Sequence, residues 1–338
     1  MKRVLLSLAL AFASTAAVAA ATPAHTAVPS APAHTAVPYM GAISADASGR
    51  VLYSDHAERE AYPASVTKLM TAMLVLEDVR AGKYAFTDEV TATADVRYSE
   101  PSWVGIKAGE KMSVRDLLLA LFVESANDAA IVLGVHSAGS LTAFIERMNE
   151  RALELGMLST HYYNPNGLPP DAVRKYPWKK FNSTTAADQL RLALRLVTYP
   201  EIFRFTSVKT CDLVKTAGGY RVSVTRQVNR PLRQTKLAPG ETKVKTLVSH
   251  NNIMVHDASK IFNADGQEAV DGLKTGYISA GGCSVVLTAT RGGKRAIVVV
   301  LGSAPVLDAK GRVKTKGVDV RDERARHLME DALMALTL

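Results

Sequence analysis

Apolar and polar positions alternate along this chain in blocks of different period. From Met40 to Tyr53 the run "MGAISADASGRVLY" predicts two short strands joined by a turn at Ala47, Ser48 and Gly49. A helix is predicted from near Ser65, where Val66, Leu69, Met70, Met73, Leu74 and Leu76 fall mostly at the three- and four-residue spacings of one buried face, with Gly82 as its stop. The region from about Tyr84 to Phe205 is mainly helical in pattern. Ser113 caps "SVRDLLLALFVES" with Asp116 near N3, Ser140 caps "SLTAFIERMNERALELG" with Gly156 as its end, and "TTAADQLRLALRLV" gives a further helix.

The last third changes period. "SVKTCDLV" and "YRVSVTRQV" alternate like strands, "CSVVLTAT" and "RAIVVVLGS" are β-branched runs, and Arg291-Gly-Gly-Lys294 links the latter two as a hairpin. "RDERARHLMEDALMAL" returns to helix with Ala325, Leu328, Met329, Ala332, Leu333 and Leu336 on one face. Its polar face is mixed in sign, so packing on a sheet is expected rather than a membrane surface. These elements describe a sheet built from both chain ends with a helical subdomain, about 81–205, inserted between them. A crevice between the two parts is a natural place for a site.

The first residues follow another logic. Lys2 and Arg3 precede an apolar run from Val4 to about Ala13, too short for a bilayer, and small residues follow at Ala17–Ala21. Residues 1–21 are therefore expected to be a secretory signal peptide. The repeat Pro-Ala-His-Thr-Ala-Val-Pro, at 23–29 and 32–38, makes 22–39 a Pro/Ala-rich extended linker, leaving 40–338 as the folded part.

Composition, with 47% hydrophobic residues in 338, is that of a globular protein. Removing Lys2 and Arg3 lowers the formal charge from +9 by two, and a basic exported protein suits an anionic surface such as cell wall. No zinc-finger spacing or aromatic-basic motif points to nucleic acid. No His-Glu-x-x-His occurs, and His25 and His34 fall in the linker. His250 and His256 flank an apolar segment that favours separate hydrogen-bonding roles, so no metal and no cofactor are expected. Cys283 lies in an apolar run that suits a buried free thiol, while its pairing with Cys211 stays open.

Ser65 and Lys68 stand at i and i+3 and share one face of the first helical turn. A serine hydroxyl becomes a nucleophile when a base removes its proton, and a lysine can be that base where burial and positive neighbours lower its pKa. Further on come Glu124-Ser-Ala-Asn-Asp128 and Asp271-Gly-Leu-Lys-Thr-Gly276. Singly these read as a helix-end polar cluster and a basic turn into a strand. In this order, Ser-x-x-Lys, Ser-x-Asn and Lys-Thr-Gly form the signature set of serine enzymes that recognise D-alanyl-D-alanine or β-lactams.

From about Gly41 to Leu336 the chain resembles the low-molecular-mass penicillin-binding proteins of the D-alanyl-D-alanine carboxypeptidase type. The likeness extends through "GRVLYSDHAEREAYPASVTKLMTAML", "SANDAA", "FIERMNERALELGMLSTHYYNPNGL" and "VDGLKTGY". It implies an α/β (α+β) fold of the β-lactamase/DD-peptidase type, an antiparallel sheet flanked by helices with an inserted all-helical subdomain. It implies Ser65 as acylated nucleophile, Lys68 as general base, and Ser125 as proton relay between Lys68 and the departing amine. Asn127 would hold the substrate amide. Lys274, on the inner strand of the sheet, would supply positive potential, and Thr275 would bind a carboxylate beside Gly276. The N–H groups of Ser65 and Tyr277 would form the oxyanion hole, and Arg321 takes the place of a carboxylate-binding arginine.

The implied substrates are peptidoglycan stem peptides, with β-lactam antibiotics as covalent inhibitors and no stable membrane anchor. The implied setting is periplasmic or cell-wall associated. Ala126 replaces the usual Gly of Ser-x-Asn, and Ile278 stands where many carboxypeptidases place a Thr. The chain stops after the last helix, so no C-terminal β domain is expected. The rivals are a D,D-endopeptidase cutting cross-links, a β-lactamase, for which no Glu-x-x-Leu-Asn is present, and a non-catalytic wall-binding protein.

Overall fold

The structure is a computed structural model and describes residues 39–337 apart from 100, 171–177, 257 and 258. The expected signal peptide and the linker up to residue 38 lie outside the described residues.

Strands β1 (Gly41–Asp46) and β2 (Val51–Asp55) form the N-terminal hairpin. Helix α1 (Lys68–Arg80) follows a short 3-10 turn at Ala64–Thr67. Next come β3 (Glu89–Thr91), β4 (Lys111–Ser113), α2 (Val114–Val123), α3 (Asn127–Ala138), α4 (Leu141–Glu154), α5 (Ala186–Leu196) and α6 (Phe203–Thr206). The remainder is β5 (Val208–Lys215), β6 (Tyr220–Gln227), β7 (Thr242–Val248), α7 (Asn252–Val255), β8 (Val270–Ile278), β9 (Gly282–Arg291), β10 (Lys294–Ser303), β11 (Val306–Leu307), β12 (Val313–Thr315) and α8 (Gly317–Ala335). The expected caps are present, since Ser113 Oγ accepts from Asp116 N–H and Ser140 Oγ from Ala143 N–H.

The main sheet runs β2-β1-β10-β9-β8, antiparallel throughout, so strands from the two chain ends meet at the β1–β10 pairing. Its β-branched runs are explained by burial on both faces. Ala296, Val298 and Val300 of β10 pack with Ala325, Leu328, Met329 and Leu333 of α8, while Ile297, Val299 and Leu301 join the core that includes α1 and α5. The β9–β10 hairpin turns on Gly292 and Gly293, with φ of 54° and 76°, as a two-residue primed turn requires.

Three features depart from the sequence reading. Strands β5 and β6, with β7, form a separate three-stranded sheet, and β5 and β6 contact α2. The segment holding Lys-Thr-Gly lies on a sheet strand, β8, as the resemblance implies, but β8 is an edge of the main sheet rather than an inner strand. Ser65 opens a 3-10 turn, and the α-helix itself starts at Lys68. Cys211 and Cys283 are both free and buried. Among the described residues no single helix is long and apolar enough to cross a membrane.

Candidate active site

The edge position of β8 leaves one side of the Lys-Thr-Gly segment open to a cleft, and the 3-10 turn carrying Ser65 packs against it. The approach is close: a Cβ added to Gly276 would stand 2.7 Å from Pro63 O and 3.1 Å from Ser65 N. Only glycine lets the two backbones meet there. The cleft has a volume of about 660 Å³ and is lined by Ser65, Ser125, Thr275, Gly276, Tyr277 and Arg321, brought together from four parts of the chain.

Lys68 lies behind this cleft, fully buried. Its Nζ is 2.8 Å from Ser65 Oγ, 2.7 Å from Asn127 Oδ1 and 2.7 Å from the carbonyl oxygen of Asn166. Burial, and then the positive charge of Lys274, push its pKa well below the usual lysine value, with Asp128 opposing. A neutral amine has two N–H groups and one lone pair. Asn127 Oδ1 and Asn166 O accept the two N–H groups, which leaves the lone pair for the Ser65 hydroxyl proton.

Lys274 is also buried, and its Nζ donates to Thr275 O at 2.9 Å. Burial and the nearby Arg321 guanidinium push its pKa down to about 7. Arg321, on the second turn of α8, is 4% exposed, pairs with Asp322 and faces the same cleft. Asn127 Oδ1 is engaged by Lys68, and its Nδ2 is buried without a partner among the described residues.

Ser125 occupies the loop between α2 and α3 with φ of 59°, a left-handed conformation that aims a non-glycine residue at some cost in strain. It makes no direct hydrogen bond to Lys68, although the sequence reading has it relaying that proton; Asn127 and Asn166 fill those places. Tyr277 turns a 65% exposed side chain to solvent, leaving its main chain against the cleft.

Four further residues shape the site without having been given a catalytic or binding role by the sequence. Asn166 contributes only its carbonyl. Asp128, fully buried, accepts from the N–H groups of Val104, Gly105, Ile106 and Ala129, tying the 104–106 loop to the start of α3. His250 and His256 both line the cleft, and burial with the charges of Lys274, Lys68 and Arg321 lowers the His250 pKa to about 4. Among the described residues no group of three or more His, Cys, Asp or Glu could hold a metal ion.

The model of the D-alanyl-D-alanine carboxypeptidase family matches residues 25–305. This chain belongs to that family. It is 28% identical over 272 residues to D-alanyl-D-alanine carboxypeptidase DacF of Bacillus subtilis, a match covering 80% of this chain and 59% of that one. A D-alanyl-D-alanine endopeptidase of Pseudomonas aeruginosa is 35% identical over 162 residues, 47% of each chain. Among solved structures, a penicillin-binding protein of Listeria monocytogenes with ampicillin bound superposes with a TM-score of 0.63 at 27% identity, covering 88% of this chain and 98% of that one. The chain spans between 53% and 59% of the length of the carboxypeptidases from Bacillus subtilis and Escherichia coli that it matches. The family likeness accounts for the mixed fold and its helix-flanked antiparallel sheet.

Proposed function

We propose that this chain is a serine D,D-carboxypeptidase that removes the terminal D-alanine of peptidoglycan stem peptides through an acyl-enzyme on Ser65. The observation that carries this reading is the buried, deprotonation-prone Lys68 at 2.8 Å from the Ser65 hydroxyl. Lys68 takes the Ser65 proton as Oγ bonds to the carbonyl carbon between the two D-alanines. The carbonyl electron pair moves to oxygen, where the N–H groups of Ser65 and Tyr277 receive it. Asn127 Nδ2 holds the amide carbonyl of the acyl portion, and Thr275, Lys274 and Arg321 hold the terminal carboxylate.

Collapse of the tetrahedral intermediate breaks the C–N bond. The Lys68 proton passes through Ser125 to the departing amine, a relay that forms once the substrate bridges the two. Water then attacks the acyl-enzyme with Lys68 again accepting a proton, which returns Ser65 to its starting state. A β-lactam carries a carbonyl and a carboxylate in the same relation and acylates Ser65 in the same way. The catalytic domain is assigned to 40–338, following export directed by residues 1–21 and a linker at 22–39. The enzyme then works outside the cytoplasm, in the periplasm or at the cell wall.

A second reading, a D,D-endopeptidase that cuts peptidoglycan cross-links, is favoured by two observations. The stretch matching the Pseudomonas endopeptidase has higher identity than the carboxypeptidase matches, at 35% against 28% for DacF. Ile278 also supplies no hydroxyl beside the expected carboxylate position. Release of D-alanine from a linear pentapeptide, set against cleavage of a cross-linked dimer at equal enzyme, separates them. A dimer rate well above the pentapeptide rate replaces the carboxypeptidase reading with the endopeptidase one.

A further inference from the structure

The positive charge of this chain is not spread evenly. A concavity of about 350 Å³ opens where α2, α6 and the end of β6 meet the loop that follows β6, and it shares no lining residue with the cleft at Ser65. Four arginines line it: Arg115 of α2, Arg204 of α6, and Arg230 and Arg233 of the loop. No acidic residue lines it, and buried Leu119 and Phe205 give it an apolar wall.

Elsewhere in the fold arginines are matched with carboxylates, as Arg80 is with Glu201, Arg147 with Asp78 and Arg295 with Asp271. Here the match is missing. Arg204, Arg230 and Arg233 have no carboxylate partner among the described residues, and Glu201, within electrostatic reach of Arg204, is held by Arg80 at 2.7 and 2.8 Å. Arg115 uses one nitrogen, Nη1, on buried Asp116 and on Val222 O, which leaves Nε and Nη2 without an acceptor among the described residues.

The arginines stand on a held backbone. Asn229, with φ of 54°, turns the chain out of β6, and its side chain clasps Glu268: Nδ2 donates to Glu268 O at 3.0 Å and Oδ1 accepts from Glu268 N–H at 2.9 Å. Arg233 N–H returns to Thr225 O of β6 at 2.8 Å, and Pro231 fixes a backbone dihedral between the two loop arginines. The Arg204 guanidinium lies 5.5 Å from the centre of the Phe86 ring. Like charges gathered in one concavity repel, and an apolar wall strengthens that repulsion, so the arrangement favours an anion that neutralises it.

The number of guanidinium groups sets the class of anion. A carboxylate offers two oxygens and one charge, enough for a single fork. A phosphate group offers more oxygens and more charge, and meets several forks at once. We propose that this concavity is a binding site for a phosphate group, carried either on a free small molecule or on a phospholipid headgroup. It stands apart from the peptidase site and does not depend on that reading.

The test measures binding to the full chain in two arms. One is isothermal titration with inorganic phosphate, and with acetate, at constant ionic strength so that screening does not vary. The other is cosedimentation with vesicles of phosphatidylglycerol and phosphatidylcholine in equal parts, against vesicles of phosphatidylcholine alone. The double variant Arg230→Gln, Arg233→Gln alters exposed side chains and is expected to weaken phosphate binding by about 10-fold or more, the scale of a lost charge-assisted hydrogen bond. The control Lys310→Gln, Lys314→Gln removes the same charge from the exposed β11–β12 hairpin and is expected to leave binding unchanged. Vesicle binding that needs phosphatidylglycerol and disappears in the arginine variant assigns the phosphate to a lipid headgroup. Phosphate binding that weakens in that variant, with no vesicle binding, assigns it to a free small molecule. A wild-type chain that binds neither probe, equal losses in the two double variants, or acetate bound as tightly as phosphate overturns the site.

Discussion

Gly167 sits directly on the carbonyl of Ala64: a Cβ added to Gly167 would stand 1.8 Å from Ala64 O and 3.0 Å from Ser65 N. The contact locks the Asn164–Gly167 loop over the 3-10 turn that carries Ser65. Asn164 Oδ1 accepts from Gly167 N–H, and Thr71 of α1 donates to Pro165 O. Asn166 O is thereby held where it receives Lys68 Nζ. With φ of 83° at Gly167, alanine is excluded both by conformation and by the clash.

Gly167→Ala is therefore expected to slow penicillin acylation by about 100-fold, the order of loss from a small misplacement of reacting groups. Stopped-flow labelling with a fluorescent penicillin measures it, with circular dichroism to show that the fold is kept. A folded variant that acylates at the wild-type rate removes the loop from the account.

In the proposed mechanism Asn127 links the base to the substrate. Replacing its amide by a carboxylate in Asn127→Asp puts a negative charge 2.7 Å from Lys68 Nζ, at the position of the present Oδ1. An opposite charge at this range favours the protonated lysine and raises its pKa by about 1–3 units. The rising limb of the acylation rate against pH is expected to move to higher pH by a comparable amount. An unmoved limb means that Lys68 is not the group titrating there.

The two buried lysines have opposite requirements. In the proposed mechanism Lys68 works as the neutral base, so activity is expected to grow as pH rises through its depressed pKa. In the same mechanism Lys274 holds the substrate carboxylate only while protonated, so activity is expected to fall as pH rises through about 7. The account predicts a bell-shaped profile of kcat/KM whose falling limb lies near that value. Lys274→Arg, which stays charged, is expected to lift the falling limb. A falling limb that is unchanged in Lys274→Arg assigns it to another group.

Asp128 tests the scaffold rather than the chemistry. Its Oδ2 receives N–H groups from Val104, Gly105 and Ile106, with separations of 3.1, 2.9 and 3.0 Å. Burial raises its carboxyl pKa, and these donors pull the other way. In Asp128→Asn only one acceptor oxygen remains, and an amide donor must face other donors. A loss of about 1.5–3 kcal/mol of folding free energy is expected, read by urea unfolding. A variant as stable as wild type removes this tie from the scaffold.

Much of the site is legible in the chain because its side chains come in short local patterns. Ser65 and Lys68 share a turn, Ser125 and Asn127 flank the start of α3, and Lys274 to Tyr277 share a strand. Strand period and caps likewise marked the β1–β2 and β9–β10 hairpins and the starts of α2, α4 and α5, but not the start of α8 or the presence of α3. What escaped was carried by backbone atoms and long-range pairing. The Asn166 carbonyl reaches Lys68 across 98 residues with no side-chain signature. The edge position of β8 and the separate sheet of β5, β6 and β7 depend on which strands pair, and alternation along one strand does not encode that. Ser125 and Lys68 were linked by motif order, but the fold routes the Lys68 hydrogen bonds elsewhere.

The central claim is that Ser65 is a nucleophile activated by a buried Lys68. Mass spectrometry of the intact protein after incubation with benzylpenicillin tests it most directly. The account predicts one added penicillin mass on the wild-type chain, located on the peptide containing Ser65. It predicts none on Ser65→Ala and labelling slowed by about 10²–10⁴-fold on Lys68→Ala. An adduct on Ser65→Ala, or on any other residue of the wild-type protein, would contradict it.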